Sequence, residues 1–391
     1  MFNVLKYFKY SFTTIFLIVP MLACANIEPK YEVRNITPPN LEEAHLGEKI
    51  SCHRPMRHGA PNMSVERQGN KIIANNYGHG GSGWTLGPGS AHYVNRLLEQ
   101  SKYSSDLKKS TAITIIGAGV LGLYTAYDLV ENGYTDITIV ADRYDHLTSH
   151  NAGGLLAPVS MDNNHKMEKV INKIGVDAYK FYEQIAKNAN PYIKKGAIIT
   201  PSYFENRKSS DLEPYVVAKV MKPAKDVILD FGNGTTRKMV VYDDGIFMDT
   251  ATLMTELTDY LKPKVKFVQK KITAFSEIDT KYIINCTGLG AKELNKDNTL
   301  VPVQGHLIML KDQKPQDLQY MILVYLPHGK TESGQDVERA FYVFPKKLAG
   351  SGSNDIGVIG GTFIEGATPD TPNNKEFDIM IKNAKEFYGI K

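Results

Sequence analysis

Between residues 111 and 142 the spacing of apolar positions changes twice. Residues 113–116 (ITII) form a largely apolar run of the kind that makes a parallel strand buried on both faces. Gly117-Ala118-Gly119-Val120-Leu121-Gly122 follows at once, and apolar positions then recur at helical spacing through Leu123, Ala126 and Leu129 to a stop at Asn132-Gly133. A second apolar run, 137–140, ends just before Asp142. The pattern predicts strand, tight glycine turn, helix, strand and acid, which is a dinucleotide-binding unit. The first glycine permits the turn, the second lets backbone approach a pyrophosphate, and the third lets helix pack on strand. The helix start supplies unpaired N–H groups and partial positive charge. Asp142, about 20 residues beyond the glycines, is placed to accept hydrogen bonds from ribose hydroxyls.

A second strand-to-helix pattern comes earlier in the chain. Residues 71–76 read as a short strand running into Tyr77-Gly78-His79-Gly80-Gly81-Ser82-Gly83-Trp84-Thr85, with a helix over 85–100 carrying Tyr93, Val94, Leu97 and Leu98. Here too bare backbone can approach a bound anion or ring. Residues 101–110 are a polar link into the dinucleotide unit. Beyond Pro158, helical stretches at 167–174 and 178–186 alternate with strand-like runs at 198–200 and 239–242. Asp249 is placed to cap a helix carrying Leu253, Leu257 and Leu261. A strand-pair region follows at 265–275, then a buried strand at 283–286 that ends in the small-residue turn Thr287-Gly288.

The predicted fold class is α/β: a Rossmann-type nucleotide domain interleaved with a mixed-sheet α+β domain. Residues 61–100, 111–160 and 250–300 are assigned to the first, and 45–60, 161–249 and 301–391 to the second. Segment 326–339, rich in glycine, serine and charge, reads as a lid.

The N-terminus changes the picture of where the chain works. Lys6 and Lys9 precede an apolar stretch, 12–23, too short to span a bilayer as a helix. Ala23-Cys24-Ala25 fits ordinary signal cleavage before Asn26. Leu22-Ala23-Cys24 also resembles a bacterial lipobox, with Met21 where leucine is usual, which would make Cys24 the lipidated first residue of a membrane-anchored lipoprotein. An uncleaved anchor is a third reading. The expectation is an exported protein, periplasmic or membrane-anchored, with 1–25 as signal and the proline-bearing 26–44 as tether. A net charge of +4 and no arginine-rich run exclude a nucleic-acid partner. Three cysteines make no disulfide framework. Cys286 reads as a small buried hydrophobe, with a Cys52–Cys286 bridge left open. No metal site is expected.

Several segments together resemble the D-amino-acid oxidases and their glycine- and sarcosine-oxidising relatives. Residues 77–85 are similar to that family's glycine-rich segment, and Arg54-Pro55-Met56-Arg57 to its RPxR. Ala141-Asp142-Arg143, Leu147-Thr148-Ser149 and Ala152-Gly153-Gly154-Leu155 resemble its second-strand and flavin-contacting segments. Asn285-Cys286-Thr287-Gly288 resembles its second nucleotide strand, and Tyr342-Val343-Phe344-Pro345 the tyrosine-bearing strand over the substrate. The order differs: in the family the GxGxxG unit begins the chain and the RPxR and GHGG segments end it. Here those two come first, as a circular permutation would leave them, with the join at 101–110. Gln304, His306, Ser82 and Glu338 also depart from the family's pattern.

The acid at the end of the second strand suits NAD or FAD equally. The second glycine-rich helix start decides for FAD, whose reduced ring needs donors at its pyrimidine end. The resemblance implies that Gly80, Gly81, Ser82, Gly83, Trp84 and Thr85 line that end, and that Ile272 borders the adenine. Arg54 would grip a substrate carboxylate through a rigid two-pronged fork, assisted by Tyr342, while Arg57 is structural and His79 positions its loop. The implied reaction is oxidation of a D-amino acid by FAD, with dioxygen as acceptor and hydrogen peroxide as product. The rivals are a glycine- or sarcosine-type amine oxidoreductase with another acceptor, and a non-catalytic exported flavoprotein.

Overall fold

Ile113 and Ile115 turn one way and Thr114 and Ile116 the other, and both faces of their strand are covered. That strand is central in the computed structural model of the protein, which describes residues 31–158, 161–347, 354–371 and 373–391. It belongs to a six-stranded sheet in the order Lys266–Gln269, Ile137–Ala141, Ile113–Ile116, Tyr282–Asn285, Lys71–Tyr77, Asn62–Gln68. The first five are parallel and the last is an antiparallel edge. Helices Gly83–Gln100 and Val120–Glu131 cover one face, so both glycine-rich turns open at the carboxyl ends of parallel strands that flank Tyr282–Asn285 on either side. Ligands bind there in open α/β sheets.

The glycines of the first turn are demanded by packing. Gly117 has φ +107° and lies against the carbonyl of Cys286. A Cβ on Gly122 would overlap the carbonyl oxygen of Gly117. Asp249 caps Thr250–Leu261 as expected, its carboxylate accepting from the Thr252 N–H at 3.4 Å.

The mixed domain is built on a nine-stranded sheet, in which Asp336–Lys347 lies between Met321–Lys330 and Ile356–Glu365, with Leu300–Leu310 and Leu46–Arg57 completing that edge. Lys375–Tyr388 packs beneath it through Phe377, Met380, Ala384 and Tyr388.

Three expectations are corrected, and one alternative left open is closed. The stretch assigned as a tether contains the strand Glu32–Asn35, paired in parallel with 227–230, and Leu41 is buried. The two helices placed at 167–186 are one, His165–Ala186, because Gly175 breaks the apolar pattern only to make room for the Tyr215 ring. The lid is a β-hairpin: Leu326 pairs with Arg339 and Lys330 with Asp336, and Arg339 makes a two-pronged ion pair with the buried Glu376. Cys52 and Cys286 are both free, and the Cys286 sulfur instead sits 3.7 Å from the Thr125 hydroxyl. The signal, the lipobox and Cys24 lie outside the described residues. Among the described residues no helix is long and apolar enough to cross a membrane, and no group of side chains could hold a metal ion.

Candidate active site

The carboxyl ends of the parallel strands and one face of the nine-stranded sheet enclose a cleft of about 390 Å³, within the range of small-molecule sites. Both glycine turns line it: Gly117, Ala118, Gly119, Val120 and Leu121 from the first, Gly80, Gly81, Gly83 and Trp84 from the second. Asp142 and Arg143, Thr148 and Ser149, Gly153, Ile272, Thr287 and Gly288 also line it, as do Arg54 and Tyr342. Segments remote in sequence are fastened to one another around it. The Trp84 indole donates to the Ser149 carbonyl at 2.9 Å, and the Val120 N–H donates to the Ser149 hydroxyl at 3.0 Å.

Five expected contacts lie behind the cleft wall rather than on it. Gly122 is spent on helix–strand packing. Gly154, at φ +102°, faces the Met248 carbonyl, and Leu155 forms a bridge with Phe247. Ser82 is fully buried, and the Thr85 hydroxyl donates to the Ala157 carbonyl at 2.9 Å. Other residues join the wall unannounced, among them Cys52, His53, Leu307, Asn151, Lys270 and Lys271. Two of these were open to inference from strand alternation: Cys52 is two residues before Arg54, and Leu307 two after Gly305.

Arg54 is held in one plane. One guanidinium nitrogen donates to the Thr362 carbonyl at 3.0 Å, and its central carbon is 4.6 Å from the centre of the Phe363 ring. The guanidinium lies on the backbone of Gly305, where a Cβ would come within 2.5–2.7 Å of it. Among the described residues no carboxylate pairs with Arg54, whereas Arg57 is paired with Asp297 at 2.8 Å. An arginine fixed by neutral partners keeps its remaining donors for an incoming acid. Beside it, Tyr342 is buried; burial pushes its hydroxyl up to about 12 against the pull of Arg54. It is therefore protonated at neutral pH and able to donate.

His79 is excluded from proton transfer. The Ser90 hydroxyl donates to the Asn76 side-chain oxygen at 2.6 Å, so Ser90 accepts from His79 Nε2 at 2.8 Å. Burial holds the ring well below its usual range, at about 3, and the imidazole stays neutral. The departures at Gln304 and His306 face away from the cleft. Gln304 exchanges hydrogen bonds with the Thr371 carbonyl and Asn373, and His306 pairs with the Thr362 hydroxyl at 2.7 Å and packs edge-on against Phe377. Glu338 and Tyr325 are exposed and outside the lining.

The sequence model of the family described as "FAD dependent oxidoreductase" (DAO) matches residues 112–390. The chain belongs to that family. A D-amino-acid oxidase of Dictyostelium discoideum is 24% identical over 296 residues, covering 73% of this chain and 75% of the relative. One of Streptomyces coelicolor is 23% identical over 211 residues, covering 53% of this chain and 61% of the relative. Among solved structures, glycine oxidase of Bacillus cereus superposes with a TM-score of 0.51 at 17% identity, over 71% of this chain and 77% of that one. Glycine oxidase of Geobacillus kaustophilus gives 0.50 at 15% identity, over 70% and 76%.

This FAD-dependent oxidoreductase has a cleft that fits its cofactor. Bare glycine backbone from two helix starts faces one cavity, and a Cβ on Gly153 would press within 2.6 Å of the Phe344 ring. The first-turn N–H groups of both helices have no partners within their own helices and suit phosphate and carbonyl oxygens. The charged lining is two acids, Asp142 and Glu293, two arginines and two lysines, set among hydroxyls, with no metal-ligating cluster among the described residues.

Proposed function

We propose that the protein oxidises a D-amino acid to the imino acid, which water converts to the 2-oxo acid and ammonia. The observation that carries this reading is Arg54: a guanidinium fixed by Thr362, Gly305 and Phe363, without a carboxylate partner among the described residues, in the wall of the cofactor cleft beside a protonated tyrosine. Residues 117–121 and Ser149 would hold the diphosphate, Asp142 a ribose, and Ile272 the adenine edge. Gly80, Gly81, Gly83 and Trp84 would meet the ring. FAD, when bound, supplies the acceptor for the Cα hydride and passes the electron pair on to dioxygen, giving hydrogen peroxide. Arg54 and Tyr342 would bind the carboxylate at two points and so orient the Cα–H. Among the described residues no carboxylate pairs with Arg54, and burial lowers His53 and His306 so that both stay neutral. The amine is therefore taken to arrive neutral and the protein to exclude water rather than move protons. Peroxide release in air, measured over both amino-acid enantiomers, glycine and sarcosine, tests this. Turnover confined to D-amino acids is expected; turnover of glycine or sarcosine alone, or of L-amino acids, rejects it.

The chain order belongs to the same reading, as a circular permutation. The family match begins at residue 112, yet strand Leu46–Arg57 and the residues Gly80, Gly81, Gly83 and Trp84 complete the cleft. The Tyr320 hydroxyl bonds to both the Thr37 carbonyl (3.1 Å) and the Tyr388 hydroxyl (2.9 Å), so residues 37 and 388 are neighbours. Adjacent ends are what makes such a rearrangement tolerable. A chain reopened within 101–110 and joined from 391 to 37 is expected to fold and take up FAD. A chain so rejoined that stays unfolded, while the parent order folds, counts against permutation.

A further inference from the structure

Lys346 is fully buried, and the chemistry above makes no use of it. It lies on Asp336–Lys347, the strand whose Tyr342 lines the cleft and whose Phe344 packs against Gly153, just past a shift of register that follows Phe344. Its ammonium donates to the His150 carbonyl at 3.0 Å and to the Thr250 hydroxyl at 2.7 Å. That hydroxyl in turn donates to the same carbonyl at 3.1 Å. Among the described residues no carboxylate is within ion-pair distance of Lys346. A buried cation without an anion is costly, and is retained where its position matters.

Its position is at the back of the segment that faces the cofactor. Residues 147–149 and 151–153 line the cleft; His150 between them does not, and its carbonyl points at Lys346. The front of the same segment is fastened by Trp84 and Val120, one from each glycine-rich helix, and the Thr148 hydroxyl reaches the His53 carbonyl at 3.4 Å. Both glycine-rich helices, the arginine-bearing strand and the strand that carries Tyr342 thus meet on residues 147–153, the last of them through Lys346.

We propose that Lys346 is a positioning residue: together with Thr250 it latches the cofactor-facing segment 147–153 to the strand bearing Tyr342, and thereby sets the affinity for FAD. The titratable groups around it are Asp249 at the helix start, Cys52 on the arginine-bearing strand and His150 on the segment itself. Burial lowers the ammonium to about 8 against the pull of Asp249, so it is mostly charged at neutral pH and its hydrogen bonds are of the charge-assisted kind. The proposal rests on the FAD cleft and not on the substrate, so it stands even if D-amino-acid oxidation fails.

The test is titration of FAD into apoprotein, followed by quenching of flavin fluorescence, for wild type, Lys346→Met and Thr250→Val. Methionine fills nearly the same volume and removes the cost of burying an unpaired charge, while the His150 carbonyl keeps the Thr250 hydroxyl as its donor. The expected result is a dissociation constant for FAD weakened roughly 10- to 100-fold in Lys346→Met, the scale of a lost charge-assisted bond, and less in Thr250→Val. The urea midpoint of the apoprotein is expected to hold. If Lys346→Met does not fold, Thr250→Val alone decides. Affinity within twofold of wild type overturns the proposal. So does an affinity loss accompanied by an equal loss of apoprotein stability, which would make Lys346 a general packing residue.

Discussion

Arg54→Leu is expected to lower kcat/KM by roughly thirtyfold to a few thousandfold, chiefly through KM, with the spectrum of bound FAD unchanged. The magnitude follows from what leucine removes. A two-pronged, charge-assisted pair with a carboxylate, cut on one side in a cleft shielded from water, costs about 2–5 kcal/mol, and each 1.4 kcal/mol is tenfold. The direction in KM follows because the carboxylate is bound before and during Cα–H cleavage alike; the fall in kcat measures how far the Cα–H also loses its aim. The FAD spectrum should hold because Arg54 touches Thr362, Phe363 and Gly305, none of them on a nucleotide-binding turn. Arg54→Lys should recover only part of the loss, since a single ammonium cannot reproduce the planar fork. Steady-state kinetics on the three proteins check this, and wild-type turnover in Arg54→Leu removes the residue from the site.

Gly305→Ala is the second large effect, and a less obvious one. The added Cβ would fall 2.5–2.7 Å from the guanidinium atoms of Arg54, and atoms at that separation must move apart. The backbone of Gly305 is held in the ladder between strands Leu46–Arg57 and Leu300–Leu310, opposite Cys52, so the guanidinium moves and leaves the Thr362 carbonyl and the Phe363 ring. A misplacement of about 1 Å in a substrate-positioning group costs on the order of a hundredfold. Gly305→Ala should therefore cost roughly that much in kcat/KM while FAD affinity and the unfolding midpoint stay near wild type. Crystals of the variant should show Arg54 displaced. Unchanged kinetics would mean that the arginine is not clamped where it matters.

The contrast between these two positions shows what was legible in the chain. The dinucleotide unit could be read because its logic is local: strand, turn, helix and acid lie within about thirty residues, each with its own periodicity. Arg54 and Tyr342 could be read from the segments around them. The clamp on Arg54 could not, because Gly305, Thr362 and Phe363 meet it only through the pairing of strands far apart in sequence. The same limit accounts for the residues wrongly placed on the cofactor. Thr85 and Ser82 belong to the glycine-rich segment, but the Thr85 hydroxyl is taken by Ala157, and nothing in the segment announces that. Gly122 is a glycine for packing, as the third place in its motif requires. The strand Glu32–Asn35 looked like tether because its partner is nearly two hundred residues away, and the hairpin at 321–347 looked like lid because its outer strands are polar where they meet water. Gln304 and His306 weighed against an intact site in the sequence; the structure turns both toward the C-terminal helix and its approach, away from the cleft.

The account depends on Arg54 and Tyr342 placing the acid group of an amino acid so that its Cα–H meets the FAD ring. The most direct measurement is the absorbance of the purified, FAD-loaded protein mixed anaerobically with D-amino acids and then with their L-enantiomers. The account predicts that the yellow band bleaches with a D-amino acid, persists with the L-form, and returns when air is admitted. A band that no D-amino acid bleaches, in protein that demonstrably carries FAD, would contradict it.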